Sequence, residues 1–285
     1  MALQEPSSGP FSNLTIEMKL NLLAWANLVN FALGYNAYVL VLAIDTCDSR
    51  GSVALLEKGA VLALAEHEAN ADYSSWLLPS VAAVLKRTGY AMPEVAGYAA
   101  AAGPGSFTGV RVGLTTVKAW AEVHRKPVAA VSRLEAIAEQ APAGARRVAA
   151  FVDARRGQVF GAVYKRDRGG VLSKLGDEMV IAPGKFVEEA QRLGGEEGIC
   201  WLSPDASLML DEAAWKARQA KGERIEAIAA TLAPMIGHIG ARHLREGQAV
   251  DALALDANYV RRSDAEIFSE GRERRAWTLK PKTSA

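Results

Sequence analysis

GPGSFTGVRVG, residues 103–113, is the stretch on which the interpretation of this chain depends. It follows a short apolar run and leads into a helical pattern that continues to about His124, so it predicts a strand, a glycine loop and a helix. Gly103 and Gly105 permit a tight turn, and Ser106 can cap the helix and direct its free N–H groups at an anion. Neither GxxxxGK(S/T) nor GxGxxG is present, so the loop alone fits an ordinary capped turn equally well.

Two further glycines, Gly109 and Gly113, lie four residues apart inside the predicted helix. Each costs about 1 kcal/mol relative to alanine in a helix interior, so some compensating contact is expected. A bare glycine face permits close backbone approach, either by the protein's own sheet or by a second chain. The spacing does not distinguish these alternatives. A second predicted helix, at 74–87, could extend the same surface.

The two halves of the chain open in the same way. An apolar strand ending at Ile44 is followed by a polar turn and a predicted hairpin, and strands at 148–153 and 158–164 flank another tight connection. Helices are predicted at 133–140, 183–193 and 225–245. The repeated pattern indicates a duplicated α/β architecture and not one closed barrel.

Polar residues follow the predicted strands at positions that can carry chemistry. Asp45, Thr46 and Asp153 stand where α/β sheets gather ligands, although a turn aspartate can equally bond its own backbone. The four histidines do not have the spacing of metal ligands: His67, His124, His238 and His243. No serine is paired convincingly with a histidine and an aspartate as in a catalytic triad. We therefore predict no metal site and no catalytic residue.

Length and composition set further limits. The 285 residues suffice for about two domains, and 33 basic against 32 acidic residues give no global field for binding nucleic acid. Any RNA contact must then be local or shared with a partner. Cys47 and Cys200 form no CxxC pair, which favours a reducing cytoplasm. Residues 20–44 carry no charge, but asparagines interrupt the run and its end is typical of a strand, so no membrane association is expected.

Four segments carry a family resemblance. They are LAIDT at 42–46, GPGSFTGVRVGL at 103–114, VDARRGQVF at 152–160 and YVRR at 259–262. Together they closely resemble the TsaB family, formerly called YeaZ, from about residue 39 to residue 266. The 103–113 segment is highly specific to that family, and residues 1–38 lie outside the likeness.

The resemblance implies a two-lobed α/β fold of the actin, sugar-kinase and Hsp70 type (ASKHA). The implied first lobe is 39–145, the second is 146–247, and 248–268 returns to the first lobe. Residues 1–38 would be an extension, and 269–285 a loose basic tail whose arginines and lysines could touch tRNA phosphates.

The implied function is bacterial synthesis of threonylcarbamoyladenosine, at the adenosine next to the tRNA anticodon. A TsaB-like chain would be a non-catalytic scaffold for its catalytic paralogue TsaD, with the ATPase TsaE joining, tRNA bound through the complex, and homodimers possible through the same surface. The likeness favours the second-chain alternative for the glycine face. It implies a partner interface on the two first-lobe helices: Leu77, Leu78, Val81, Thr108, Gly109, Val112, Gly113, Thr116, Val117 and Trp120.

No cofactor is assigned to the chain itself. ATP and magnesium would be used by the complex, near the TsaD boundary. Nucleotide or anion contacts within this chain would come from one group of residues around the glycine loop: Asp45, Thr46, Gly103, Gly105 and Ser106.

Two observations separate the chain from its catalytic paralogue and from stricter TsaB sequences. The paralogue's metal motif, HMEGH, falls on residues 133–137 here, which contain no histidine. Tyr73, Ser75 and Ala257 replace residues frequent in the family, so the pairing surface could be tuned to this organism's TsaD. The alternatives are a stand-alone ATP-dependent phosphotransferase using Asp45, Thr46 and Asp153, and, last, a protease, for which no activated nucleophile is seen.

Overall fold

The computed structural model describes residues 40–67, 72–195, 198–250, 255–258 and 260. The predicted extension at 1–38, the basic tail at 269–285 and most of the YVRR segment lie outside this part of the chain. Within the described residues, no helix is both long and apolar enough to cross a membrane.

The first sheet has five strands in the order β3-β2-β1-β4-β5. Its central strand β1 is buried along its whole length, as the apolar run LVLAID predicts. The strands are β1 (Leu40–Asp45), β2 (Ser52–Glu57), β3 (Ala60–Glu66), β4 (Gly97–Gly103) and β5 (Val128–Ser132). The helices that follow them are α1 (Tyr73–Thr88), α2 (Phe107–His124) and α3 (Arg133–Ala138).

The second sheet also has five strands, in the order β10-β9-β6-β7-β8. The strands are β6 (Arg147–Asp153), β7 (Val159–Arg166), β8 (Leu172–Ile181), β9 (Cys200–Ser203) and β10 (Ile225–Ala227). The accompanying helices are α4 (Pro183–Gly194), α5 (Ala213–Gln219) and α6 (Ala233–Arg245). Short 3-10 turns occur at Met92–Glu94 and Ala206–Met209.

The two sheets have the same topology. In each, the first strand pairs antiparallel with the second and parallel with the fourth, while the third and fifth strands form the edges. The prediction of a duplicated, two-lobed α/β fold is therefore confirmed.

The last helix of each half packs across the lobe boundary. Helix α6 contacts β1, β2, β4 and β5 of the first sheet, and α3 makes most of its sheet contacts with the second sheet, chiefly β6. The predicted lobe bounds, 39–145 and 146–247, divide the sequence into halves but do not separate two independently packed units. Helix α6 belongs to the second range, yet it packs on the first sheet. One apolar core consequently runs through both lobes, while a second fills the space between the second sheet and α4.

One predicted element was wrong. Residues 225–245 were expected to form a single helix, but Ile225–Ala227 is a strand paired with β9, and the helix begins only at Ala233. Pro234 explains the start, since proline is favoured in the first turn of a helix and excluded from its interior.

Candidate functional site

The loop after β1 holds a buried carboxylate. Asp45 closes the strand and is fully buried. Its Oδ1 accepts a hydrogen bond from the Cys47 backbone N–H at 2.9 Å, and its Oδ2 accepts one from Arg133 Nε at 3.0 Å. Both oxygens are thus committed to partners within the chain.

Arg133 is the counter-ion of this loop. It is the first residue of α3, whose start is capped by Ser132, and its side chain is 1% exposed. Besides Asp45, its guanidinium donates to Asp48 Oδ2 at 2.7 Å. Burial disfavours the charged guanidinium, but the neighbouring carboxylates of Asp45 and Asp48 outweigh burial and raise the pKa of Arg133. Two carboxylates and one cation therefore form a compact buried ionic group.

A second arginine carries the ionic chain into the other lobe. Arg50 donates to Asp48 Oδ2 at 2.9 Å and makes a two-pronged contact with Asp205, at 2.7 and 3.1 Å. Asp205 also accepts the backbone N–H of Asp153 at 2.9 Å. Although burial opposes ionisation of Asp48, the charge of Arg133 and the hydrogen bonds from Arg50 hold its pKa below its ordinary value.

The predicted ligand residues of the glycine loop contact one another. Thr46 Oγ1 donates to the Gly109 carbonyl at 2.6 Å, and Ser106 caps α2 by accepting from Gly109 N–H at 3.4 Å. Gly105 lies directly against Cys47, where a side chain would collide with backbone.

Gly103 has φ +114°, and a Cβ there would lie 2.8 Å from the Asn258 carbonyl oxygen. Since Asp45 and Thr46 are also engaged internally, the residues present do not fit a magnesium–nucleotide site of the expected kind.

The glycine face of α2 is internal. Gly109 and Gly113 are both buried, and a Cβ at Gly109 would collide with the Thr46 carbonyl. A Cβ at Gly113 would lie 2.5 Å from Thr46 Oγ1 and 3.8 Å from Ile44. Of the two alternatives left open by their spacing, the structure shows close approach by the protein's own polypeptide, so Gly109 and Gly113 do not lie on the outward surface of the two helices.

The other predicted interface residues divide between core and surface. Leu77, Val81 and Val117 are buried beneath the two helices, so they support the surface without forming it. Leu78 is 55% exposed. The remaining predicted positions are exposed or half-buried: Thr108, Val112, Thr116 and Trp120.

The sequence prediction missed two apolar side chains on this surface. Val123, at the end of α2, is 75% exposed and Phe107, at its start, is 37% exposed. Val123 follows Val112 by eleven residues, which is about three helical turns, so helical spacing could have found it. We call the outward surface of the two helices, centred on Leu78, Val112, Thr116, Trp120 and Val123, the α1–α2 face.

Tyr73, the first residue of α1, contacts the loop between β1 and β2. Its hydroxyl donates to the Asp48 carbonyl and accepts the Gly51 N–H at 2.8 Å, while the His67 ring stacks on its ring with centroids 4.2 Å apart. Helix α1 therefore begins at a fixed point of the loop between β1 and β2.

The sequence analysis did not identify Arg133, Asp48, Arg50 or Asp205 as partners. The alternation of Asp45, Asp48 and Arg50 in one short loop was the available signal for an ionic cluster. Nothing in the sequence showed that Arg133 would meet Asp45, 88 positions away, or that Asp205 would meet Arg50, 155 positions away.

Comparison with known proteins places the chain in a family. Residues 66–199 match the family model for TsaD, tRNA N6-adenosine threonylcarbamoyltransferase. The chain is 37% identical over 158 residues to the tRNA threonylcarbamoyladenosine biosynthesis protein TsaB of Escherichia coli, which covers 55% of this chain and 68% of that protein. It is also 55% identical over 56 residues to the tRNA N6-adenosine threonylcarbamoyltransferase of Nitrobacter hamburgensis, over 20% of this chain and 16% of that one.

A solved structure agrees with this assignment. YeaZ from Pseudomonas aeruginosa superposes with a TM-score of 0.61 at 27% identity, covering 78% of this chain and 99% of that one. The fold is thus that of YeaZ, within the actin-like class that the resemblance implied. From its identity to the Escherichia coli protein and its match to the YeaZ structure, the chain belongs to the TsaB family of tRNA threonylcarbamoyladenosine biosynthesis proteins.

Proposed function

We propose that this chain is a non-catalytic subunit that binds TsaD in the cytoplasm and organises it, with TsaE, for threonylcarbamoyl transfer to tRNA. The α1–α2 face is the observation that carries the proposal. Leu78 and Val123 lie exposed on it, and half-buried Val112 and Trp120 continue the apolar surface into the core. Exposed apolar side chains set among polar ones on the outward surface of two helices are typical of a protein interface.

The ionic group below that face supports a scaffold in preference to an enzyme. Asp45 and Thr46, the residues that a phosphotransferase would present to magnesium and phosphate, are bonded to Arg133 and Gly109. Asp153, the third residue of that alternative, accepts the backbone N–H of Arg155 at 2.7 Å. On this proposal the ATP and magnesium of the complex bind near the TsaD boundary and not between these residues.

The docking proposal is tested with charged substitutions on the face. Leu78→Glu and Val123→Glu should each weaken binding to the organism's own TsaD by tenfold or more, because a buried unpaired carboxylate replaces an apolar contact. Binding is measured by co-elution and by titration calorimetry. Gly113→Leu would not serve, since its side chain would meet Thr46 within the protein's own core.

Matched controls exist in the second lobe. Leu210 is 49% exposed and Val171 is 63% exposed, so Leu210→Glu and Val171→Glu introduce the same charge at equally exposed apolar positions. Both control variants should bind TsaD normally. If the α1–α2 variants also bind normally, the face is not the docking surface.

A reconstitution separates scaffold from enzyme. Modification of tRNA by TsaD and TsaE should depend on this chain, while the chain alone should not turn over ATP. ATP turnover by the isolated chain that is lost in Asp45→Ala would instead support the phosphotransferase alternative.

A further inference from the structure

The two helices of the α1–α2 face carry more basic than acidic side chains. Helix α1 contains Lys86 and Arg87 and no acidic residue, and α2 contains Arg111 and Lys118 against the single carboxylate of Glu122. The whole chain carries a net charge of only +1. The two helices together are therefore more positive than the chain as a whole.

The basic and the apolar side chains of α2 lie on separate stripes of the helix. Arg111 and Lys118 are seven residues apart, which is about two helical turns, so they form one basic stripe along α2. Val112, Thr116 and Trp120 follow one another at four-residue spacing and form a second, less polar stripe of the same helix. A surface that combines apolar side chains with a basic rim selects partners by charge as well as by shape.

The basic side chains of the two helices reach the surface. Lys86, Arg87 and Arg111 are exposed and Lys118 is half-buried. Arg87 donates to the Leu64 carbonyl at 2.6 Å, which leaves its charge uncompensated by that contact. Among the described residues, neither Lys86 nor Lys118 lies within ion-pair distance of a carboxylate.

We infer that the partner surface for the α1–α2 face is acidic, and that the same basic rim disfavours pairing of two copies of this chain. The inference rests on the proposed docking function and deepens it by naming the chemistry of the partner. Carboxylates opposite Lys86 and Lys118 would accelerate encounter, because opposite charges steer diffusion. In a twofold symmetric homodimer the basic rim of one copy would face that of the other, because a symmetric interface uses the same patch twice.

Salt therefore acts in opposite directions on the two assemblies. Raising NaCl from about 0.05 M to about 0.5 M should lower the association rate with TsaD about tenfold, because the attraction is screened. The same change should lower the dissociation constant of the homodimer by severalfold, because like-charge repulsion is screened. Stopped-flow kinetics measures the first quantity and analytical ultracentrifugation the second.

Charge reversal on the full-length protein tests the residues themselves. Lys86→Glu combined with Lys118→Glu should slow association with TsaD by tenfold or more at low salt and remove most of the salt dependence. Lys165→Glu combined with Lys216→Glu changes the net charge equally at exposed positions of the second lobe and should leave association unchanged. Circular dichroism and thermal unfolding verify that both double variants fold.

The outcomes are distinguishable. Wild-type association that is independent of salt and of the face reversal overturns the acidic-partner inference while leaving docking intact. Equal effects of the two double variants also overturn it, because net charge alone would then explain the rates. Absence of any wild-type association overturns both this inference and the proposed docking function.

Discussion

Replacing Arg133 with methionine removes the cation of the buried ionic group while keeping an apolar stem of similar length. The side chain is 1% exposed, and Asp45 beside it is fully buried, so the variant leaves an unpaired carboxylate away from water. Breaking a buried ion pair by removing one partner costs about 3–5 kcal/mol. Against a total stability of about 5–15 kcal/mol for a typical domain, this loss should be obvious in urea unfolding at neutral pH.

Two companion variants sharpen the test of Arg133→Met. Adding Asp45→Asn removes the stranded charge and should recover a substantial part of the lost free energy of unfolding. Arg192→Met breaks only an exposed pair with Glu189 and should cost less than about 0.5 kcal/mol. A loss below about 1 kcal/mol in Arg133→Met would refute the reasoning, because the cation would then not be needed to bury Asp45.

The pH dependence of the same variant has a definite sign. The folded pKa of Asp48 lies below its ordinary value, so its pairing contributes stability above about pH 4, the unfolded value. That contribution is lost as pH falls through the folded pKa. The stability difference between wild type and Arg133→Met should therefore shrink as unfolding is measured in increasingly acidic buffer below about pH 4.

Two further predictions concern packing and the lobe boundary. Gly109→Ala should destabilise the protein by about 2 kcal/mol or more, because its Cβ would collide with the Thr46 carbonyl, whereas Gly144→Ala, which meets nothing within 4 Å, should change thermal unfolding little. Asp205→Asn should weaken the contact with half-exposed Arg50 by about 1 kcal/mol. Because Asp205 also accepts the Asp153 N–H, the same variant should speed amide hydrogen exchange in residues 153–158. Unchanged exchange would show that Asp205 does not stabilise the turn between β6 and β7.

The sequence was sufficient for the architecture because the decisive pattern is local and repeated. Each half opens with an apolar strand and a hairpin, and the sheets repeat one strand order as a result. Spacing could not decide which surface approaches Gly109 and Gly113, because a glycine face is equally open to the protein's own loop and to another molecule. Helical periodicity likewise groups Leu77 with Leu78, although one is buried and the other exposed.

The ionic group was beyond local pattern. The sequence drew attention to position 133 only because the segment 133–137 contains no histidine. The pairing of Arg133 with Asp45 depends on how α3 packs beside the loop that follows β1. The contact joins positions 88 residues apart, which no local propensity encodes. The strand at Ile225–Ala227 was missed for the same reason, since it exists through pairing with β9.

The crossing of α3 and α6 between the lobes has a consequence for how the polypeptide can be divided. A cut in the turn at 142–145 would give the amino-terminal fragment the helix that covers the other sheet, and would leave the helix that covers its own sheet on the carboxy-terminal fragment. Each fragment alone would expose a large apolar surface to water, whereas two fragments produced together could associate and bury these surfaces. The halves of this duplicated chain are thus interdependent, and neither is an autonomous building block that could be transplanted intact.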